Sequence, residues 1–125
     1  MKVIVYARSA SAIKSKGMDS IQNQLARLTN YAKEKGMDIS GVYFDSGTKG
    51  GVNTSGFQKL MKDLVSGDIS AEKMLCTSTH RLSRSYFKVI HLLQQLEKAK
   101  VELEFIDELI LPNNAKNTNK KTTKK

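Results

Sequence analysis

The sequence predicts an α/β domain: a mostly parallel sheet of four or five strands with helices on both faces. Three observations carry that prediction. Val3, Ile4 and Val5 form a β-branched apolar run followed at once by Tyr6, the pattern of a buried strand. Four strand-like stretches alternate with three helix-like ones along the chain. The 125 residues contain no apolar run near the roughly 18 that a membrane span needs. One domain with a real core is the natural count.

The first strand ends at Arg8, among the small residues Ala7, Ser9, Ala10 and Ser11. Ligand sites of open α/β sheets lie beyond the carboxyl ends of the strands. Arg8 is therefore either an anion ligand or an ordinary surface arginine at a strand end. Ala12 to Met18 reads as a loop. A helix starts near Asp19 or Ser20, with Asp19 as N-cap and Gln22 completing a pattern like a capping box. Ile21, Leu25, Leu28 and Ala32 form one apolar stripe at helical spacing. Gly36 stops the helix after Lys33 and Lys35, which suit its negative end.

Ile39 to Phe44 is the second strand. Asp45 to Gly56 is rich in Gly, Ser, Thr and Asn and is expected to be irregular and mobile. It lacks the spacing of a nucleotide-binding P-loop. Phe57 to Val65 resumes helical spacing through Phe57, Leu60, Met61 and Leu64, and Gly67 stops it. Glu72 to Cys76 is a third strand, and Thr77 to Ser83 is polar. The next helix turns Tyr86, Val89, Ile90, Leu93 and Leu96 to the core. In the last strand, Val101 to Ile106, Val101, Leu103 and Phe105 alternate with Glu102 and Glu104, so one face is wet and the strand lies at an edge.

Residues 1–111 are read as the folded domain and 112–125 as a disordered, lysine-rich tail. The net charge is +9, and the tail holds Lys116, Lys120, Lys121, Lys124 and Lys125 with no acid. Those five lysines leave +4 for the rest of the chain. Such a tail either contacts nucleic acid or is a solvated extension. The single cysteine, Cys76, lies in an apolar run and reads as a small buried hydrophobe in a reducing compartment. No basic stretch followed by an apolar one opens the chain, so a cytoplasmic location is expected, with no membrane contact. Two histidines and one cysteine, far apart in sequence, give no basis for a metal site.

Tyr6-Ala7-Arg8, Ser20-Ile21-Gln22-Asn23-Gln24 and Arg81-Leu82-Ser83-Arg84 fall in a distinctive order. Asp45-Ser46-Gly47 and Gly56-Phe57-Gln58-Lys59-Leu60 lie between them. Together these segments resemble the N-terminal catalytic domain of the serine recombinases, the resolvase and invertase group, over Lys2 to Glu108. The resemblance implies a three-layer resolvase-like fold. It implies DNA as partner, oligomers with copies of the chain or with another recombinase, and no cofactor. In that family a serine attacks a backbone phosphate, becomes joined to it and releases a sugar hydroxyl. Arginine suits the negative transition state because its planar fork binds phosphate oxygens. By resemblance, Arg8, Arg81 and Arg84 are such donors, and Gln24 positions the loop that carries the nucleophile.

The departures fall at the chemistry. Ala10 stands at the nucleophile's position, Thr54 at that of a second family arginine, and His80 at that of an aspartate. An alanine has no oxygen to attack with, and losing a nucleophile costs on the order of 10⁴ to 10⁶ in rate. Ser9 and Ser11 are the available substitutes. Strand alternation turns Ser9 away from the face of Arg8, which leaves Ser11 as the better one. His80 is either a proton donor to the leaving oxygen or a tolerated polar residue. His91 falls off the apolar stripe and faces solvent. The family continues into a long dimerisation helix and a DNA-binding module, for which nothing after Glu108 leaves room here. Three functions follow. One is an impaired recombinase-like domain that binds DNA or a recombinase partner. Another is an active minimal recombinase or nickase using Ser11 or Ser9. The third is a small interaction domain.

Overall fold

The computed structural model of the chain describes residues 1–10, 20–47, 50–83 and 85–108. Ser11, Arg84 and the tail lysines lie outside these described residues. The elements in chain order are β1 (Lys2–Ser9), α1 (Ile21–Glu34), β2 (Asp38–Ser46), α2 (Ser55–Ser66), β3 (Lys73–Cys76), α3 (Thr79–Leu82), α4 (Tyr86–Lys98) and β4 (Glu102–Phe105). The four strands are all parallel, in the order β2-β1-β3-β4.

β1 is central because each of its positions from Val3 to Ser9 is buried. Its alternation splits the core in two. Val3 and Val5 pack with Leu28, Ala32 and Leu75 on the α1 side. Ile4 and Tyr6 pack with Phe57, Leu60, Val89, Leu92 and Leu96 on the side of α2 and α4. The result is three layers, with one long helix on one face and two on the other. β4 lies at the edge as its alternation requires. Its outward face is not simply wet, because Glu104 accepts hydrogen bonds from Lys73 and from Tyr31 of α1.

Local chemistry sets most boundaries. Ser20, not Asp19, caps α1, its Oγ accepting from the Asn23 N–H at 3.0 Å. Gly36 follows α1 with φ of +71°. β2 runs on to Ser46 and so absorbs the first two residues of the expected irregular stretch. The described part of that stretch is anchored, since Gly50 forms an antiparallel bridge with Ser83. Only glycine fits there: φ is +88° and a Cβ would lie 2.6 Å from the Leu82 carbonyl oxygen. Tyr86 departs from the expected core face. It is 74% exposed, and the buried stripe of α4 is Val89, Leu92 and Leu96. The Tyr86 ring packs against that of its neighbour Phe87 instead.

Candidate active site at the carboxyl edge of the sheet

Arg8 lies next to last in the buried run of β1, with only 1% of its surface exposed. A buried guanidinium needs acceptors, and its Nε donates to the Arg81 carbonyl at 2.8 Å. Its peptide is clamped from the other side by Gln24, fully buried on α1. The Arg8 N–H donates to Gln24 Oε1 at 3.2 Å, and Gln24 Nε2 donates to the Arg8 carbonyl at 2.9 Å. Gln24 thus grips the backbone two residues before Ala10. An amide is the side chain for this task, because it supplies one donor and one acceptor to the carbonyl and N–H of one residue.

Asp45 lies opposite Arg8 in the β1–β2 register. It accepts from the Tyr6 hydroxyl at 2.5 Å, from the Gly56 N–H at 2.7 Å and from the Phe57 N–H at 3.1 Å. These two N–H groups are the ones an N-cap side chain normally takes at the start of a helix. Thr54 holds the N-cap position of α2 but makes no side-chain cap; its Oγ1 donates to the Gly51 carbonyl at 3.1 Å. A strand residue therefore caps α2 in its place. The close approach requires glycine at residue 56, where a Cβ would fall 2.1 Å from the Phe44 carbonyl oxygen. Burial, then the bond to Asp45, pushes the Tyr6 phenol well above its ordinary value, with Thr54 acting weakly the other way. Tyr6 stays a neutral donor.

Arg81 is carried by α3, whose start is held by Glu108. The Thr79 N–H and Oγ1 both donate to that carboxylate, at 2.8 and 2.6 Å. The Gly50–Ser83 bridge ties this segment to the loop after β2. The ends of β1 and β2 and the segment after β3 thus meet at one edge. Asp45 and Glu108 are the site residues that sequence reasoning missed. Their partners lie 11 to 39 residues away, and only the Asp45-Ser46-Gly47 motif pointed to one of them.

The structure separates the other candidates. Ala10 is exposed and directly follows β1. Ser9 is 7% exposed and shares the register of Val3 and Val5, on the α1 side, away from Arg8. His80 lies in α3 between Thr79 and Arg81. His91 is exposed as expected. Cys76 is buried, and burial raises its thiol far above the ordinary value, so it is inert. Among the described residues, no three His, Cys, Asp or Glu side chains converge on a metal position, and no helix is long and apolar enough to cross a membrane.

Residues 3–122 match the family model described as resolvase, N-terminal domain. Among solved structures, the N-terminal catalytic domain of TP901-1 integrase superposes with a TM-score of 0.80 at 27% identity, over 93% of this chain and 85% of that one. A resolvase family site-specific recombinase from Streptococcus pneumoniae gives 0.75 at 26% identity, over 90% and 76%. A serine recombinase from Sulfolobus solfataricus shares the fold, with 0.65 at 22% identity over 89% and 71%. No curated protein sequence matches the chain. With a family match across nearly its whole length and this arginine-bearing edge, the chain belongs to the resolvase N-terminal domain family, a serine-recombinase-like domain associated with site-specific recombination.

Proposed function

We propose that this domain holds a DNA phosphate at the edge where Arg8 and Arg81 lie, with Arg84 as a further donor, and, with no oxygen at residue 10, does not cut there. The observation that carries this reading is Arg8 itself. It is an arginine buried at a strand's carboxyl end, fixed on both sides by Gln24 and Arg81. A chain keeps such a costly group buried where its charge has use. A serine at residue 10 would add its Oγ to phosphorus and displace a sugar hydroxyl, leaving a phosphoserine link. Ala10 removes that step and leaves the phosphate donors. Thr54, at the second arginine position, removes one donor more. His80 is a tolerated polar residue, and Lys116, Lys120, Lys121, Lys124 and Lys125 add phosphate contacts without reading sequence.

Such a domain acts by occupying a place on DNA, either beside copies of itself or in an assembly with an active recombinase. The test is duplex DNA binding against salt concentration. It compares the full chain, an Arg81→Ala variant and a variant with the five tail lysines changed to glutamine. Each lost phosphate contact lowers the slope of log affinity against log salt by about 0.9. Arg81→Ala is expected to lower it by about that amount. If only the tail variant changes the slope, the old active site no longer holds DNA.

A further inference from the structure

We propose that Tyr86 and Phe87 form a stacking platform for an unpaired DNA base next to the phosphate held at the arginine edge; this rests on the DNA reading above. Tyr86 is 74% exposed and Phe87 81% exposed, while the next most exposed aromatic, Phe44, is 54% exposed. Their rings meet edge to face, with centroids 6.3 Å apart and planes at 67°. The buried stripe of α4 uses neither of them. Two adjacent exposed aromatics braced on each other leave large ring surface open to a ligand at little entropic cost.

Their placement selects the partner. They follow directly on the segment that carries Arg81 and Arg84, which the Gly50–Ser83 bridge ties to the loop after β2. The Lys88 stem lies against that loop, with its Cδ 3.1 Å from where a Cβ on Gly51 would sit. Ser85 caps the helix, its Oγ accepting from the Lys88 N–H, and the first turn holds no acid. The nearby carboxylates Asp45 and Glu108 are both taken up by N–H and hydroxyl donors. Positive charge beside aromatic faces fits a nucleic acid strand, whose phosphates and bases need one of each. A paired base inside duplex DNA shows no face, so the ligand is a base that has left the stack.

The experiment compares the full chain with a Tyr86→Ala, Phe87→Ala double variant. The probes are a single-stranded oligonucleotide and the same sequence fully paired, each with a central 2-aminopurine as fluorescent base. The full chain is expected to bind both and to change the fluorescence of the single strand. The double variant is expected to lose roughly tenfold or more for the single strand, and less than about threefold for the duplex. An exchanged variant, Tyr86→Phe with Phe87→Tyr, is expected to bind like the full chain. Equal losses on both probes, or no loss on either, overturn the platform while leaving the DNA reading intact. A full chain that binds neither probe overturns the DNA reading and the platform with it. Self-association of the full chain that the double variant abolishes, with binding to the single strand unchanged, also overturns it and makes the pair a protein interface.

Discussion

Asp45 shows how much a single carboxylate organises at the residue scale. It takes three donors, two of them the orphan N–H groups of α2, and so links β2, α2 and the Tyr6 that lies two residues before Arg8. Asp45→Ala leaves those donors buried and unpaired. We expect a loss of about 2–4 kcal/mol in chemical denaturation, since each unsatisfied buried group costs about 1–3 kcal/mol and neighbours overlap. Tyr6→Phe is expected to cost about 1 kcal/mol, and a double-mutant cycle with Asp45→Ala is expected to be non-additive. Additive losses would show that the two side chains act separately. The place of Arg8 near a strand end was legible in the sequence, but its burial was not, since a charged side chain there reads as readily as a surface arginine. Asp45 was not legible as a cap, because its two helix partners come from a segment 11 and 12 residues on. Tyr86 misled for a different reason. Its spacing from Val89 fits the stripe, but spacing cannot say where along a helix the buried stripe begins, and in α4 it begins at Val89.

The packing of α1 is the clearest case at the element scale. Leu28 is fully buried among Val3, Val5 and Leu75, so Leu28→Ala opens a cavity against the sheet. The expected loss is about 2–5 kcal/mol, read as a lower denaturation midpoint with an unchanged slope. α1 also docks on β4 through Tyr31 and Glu104. Burial alone would raise the Glu104 carboxyl, but hydrogen bonds from Lys73 and Tyr31 and the charges of Lys73 and Lys35 outweigh it and hold it below the usual range. Stability from this group is complete above the unfolded glutamate value of about 4.3 and is lost as pH falls through the lower folded value. The Tyr31 phenol is pushed up to about 12, first by its bond to Glu104 and then by burial. Its contribution is present below the ordinary value of about 10 and is lost as pH rises toward 12. Glu104→Gln is expected to flatten both limbs of a stability–pH curve; a curve of unchanged shape would deny the pairing. The alternation of β4 was legible in the sequence. That one of its outward glutamates binds a lysine and a tyrosine was not, because those partners belong to β3 and α1.

At the scale of the whole molecule, the parallel sheet has one chemical consequence. In parallel βα units, α1, α2 and α4 begin near the same carboxyl edge, and Gln24 and Asp45 tie the starts of α1 and α2 to the ends of β1 and β2 there. None of the three has an acid in its first turn. At that edge the first free N–H groups of α2 already bind the Asp45 carboxylate. The fold class was legible from periodicity and element order, since β1 is buried along nearly its whole length and α1 and α4 turn apolar stripes inward. What the pattern could not contain was the network joining the edge: the Gln24 clamp, the Glu108 hold on α3 and the Gly50–Ser83 bridge all cross long stretches of chain.

We propose a site that still holds phosphate but has lost its nucleophile. The most direct measurement is covalent protein–DNA product on a denaturing gel, with duplex DNA of mixed sequence, for the natural chain, Ser11→Ala and Ala10→Ser. Our account predicts no product from the first two, and a protein-linked strand from Ala10→Ser that increases when Thr54→Arg is added. A product from the natural chain that vanishes in Ser11→Ala would contradict it, and would make Ser11 the nucleophile of an active enzyme.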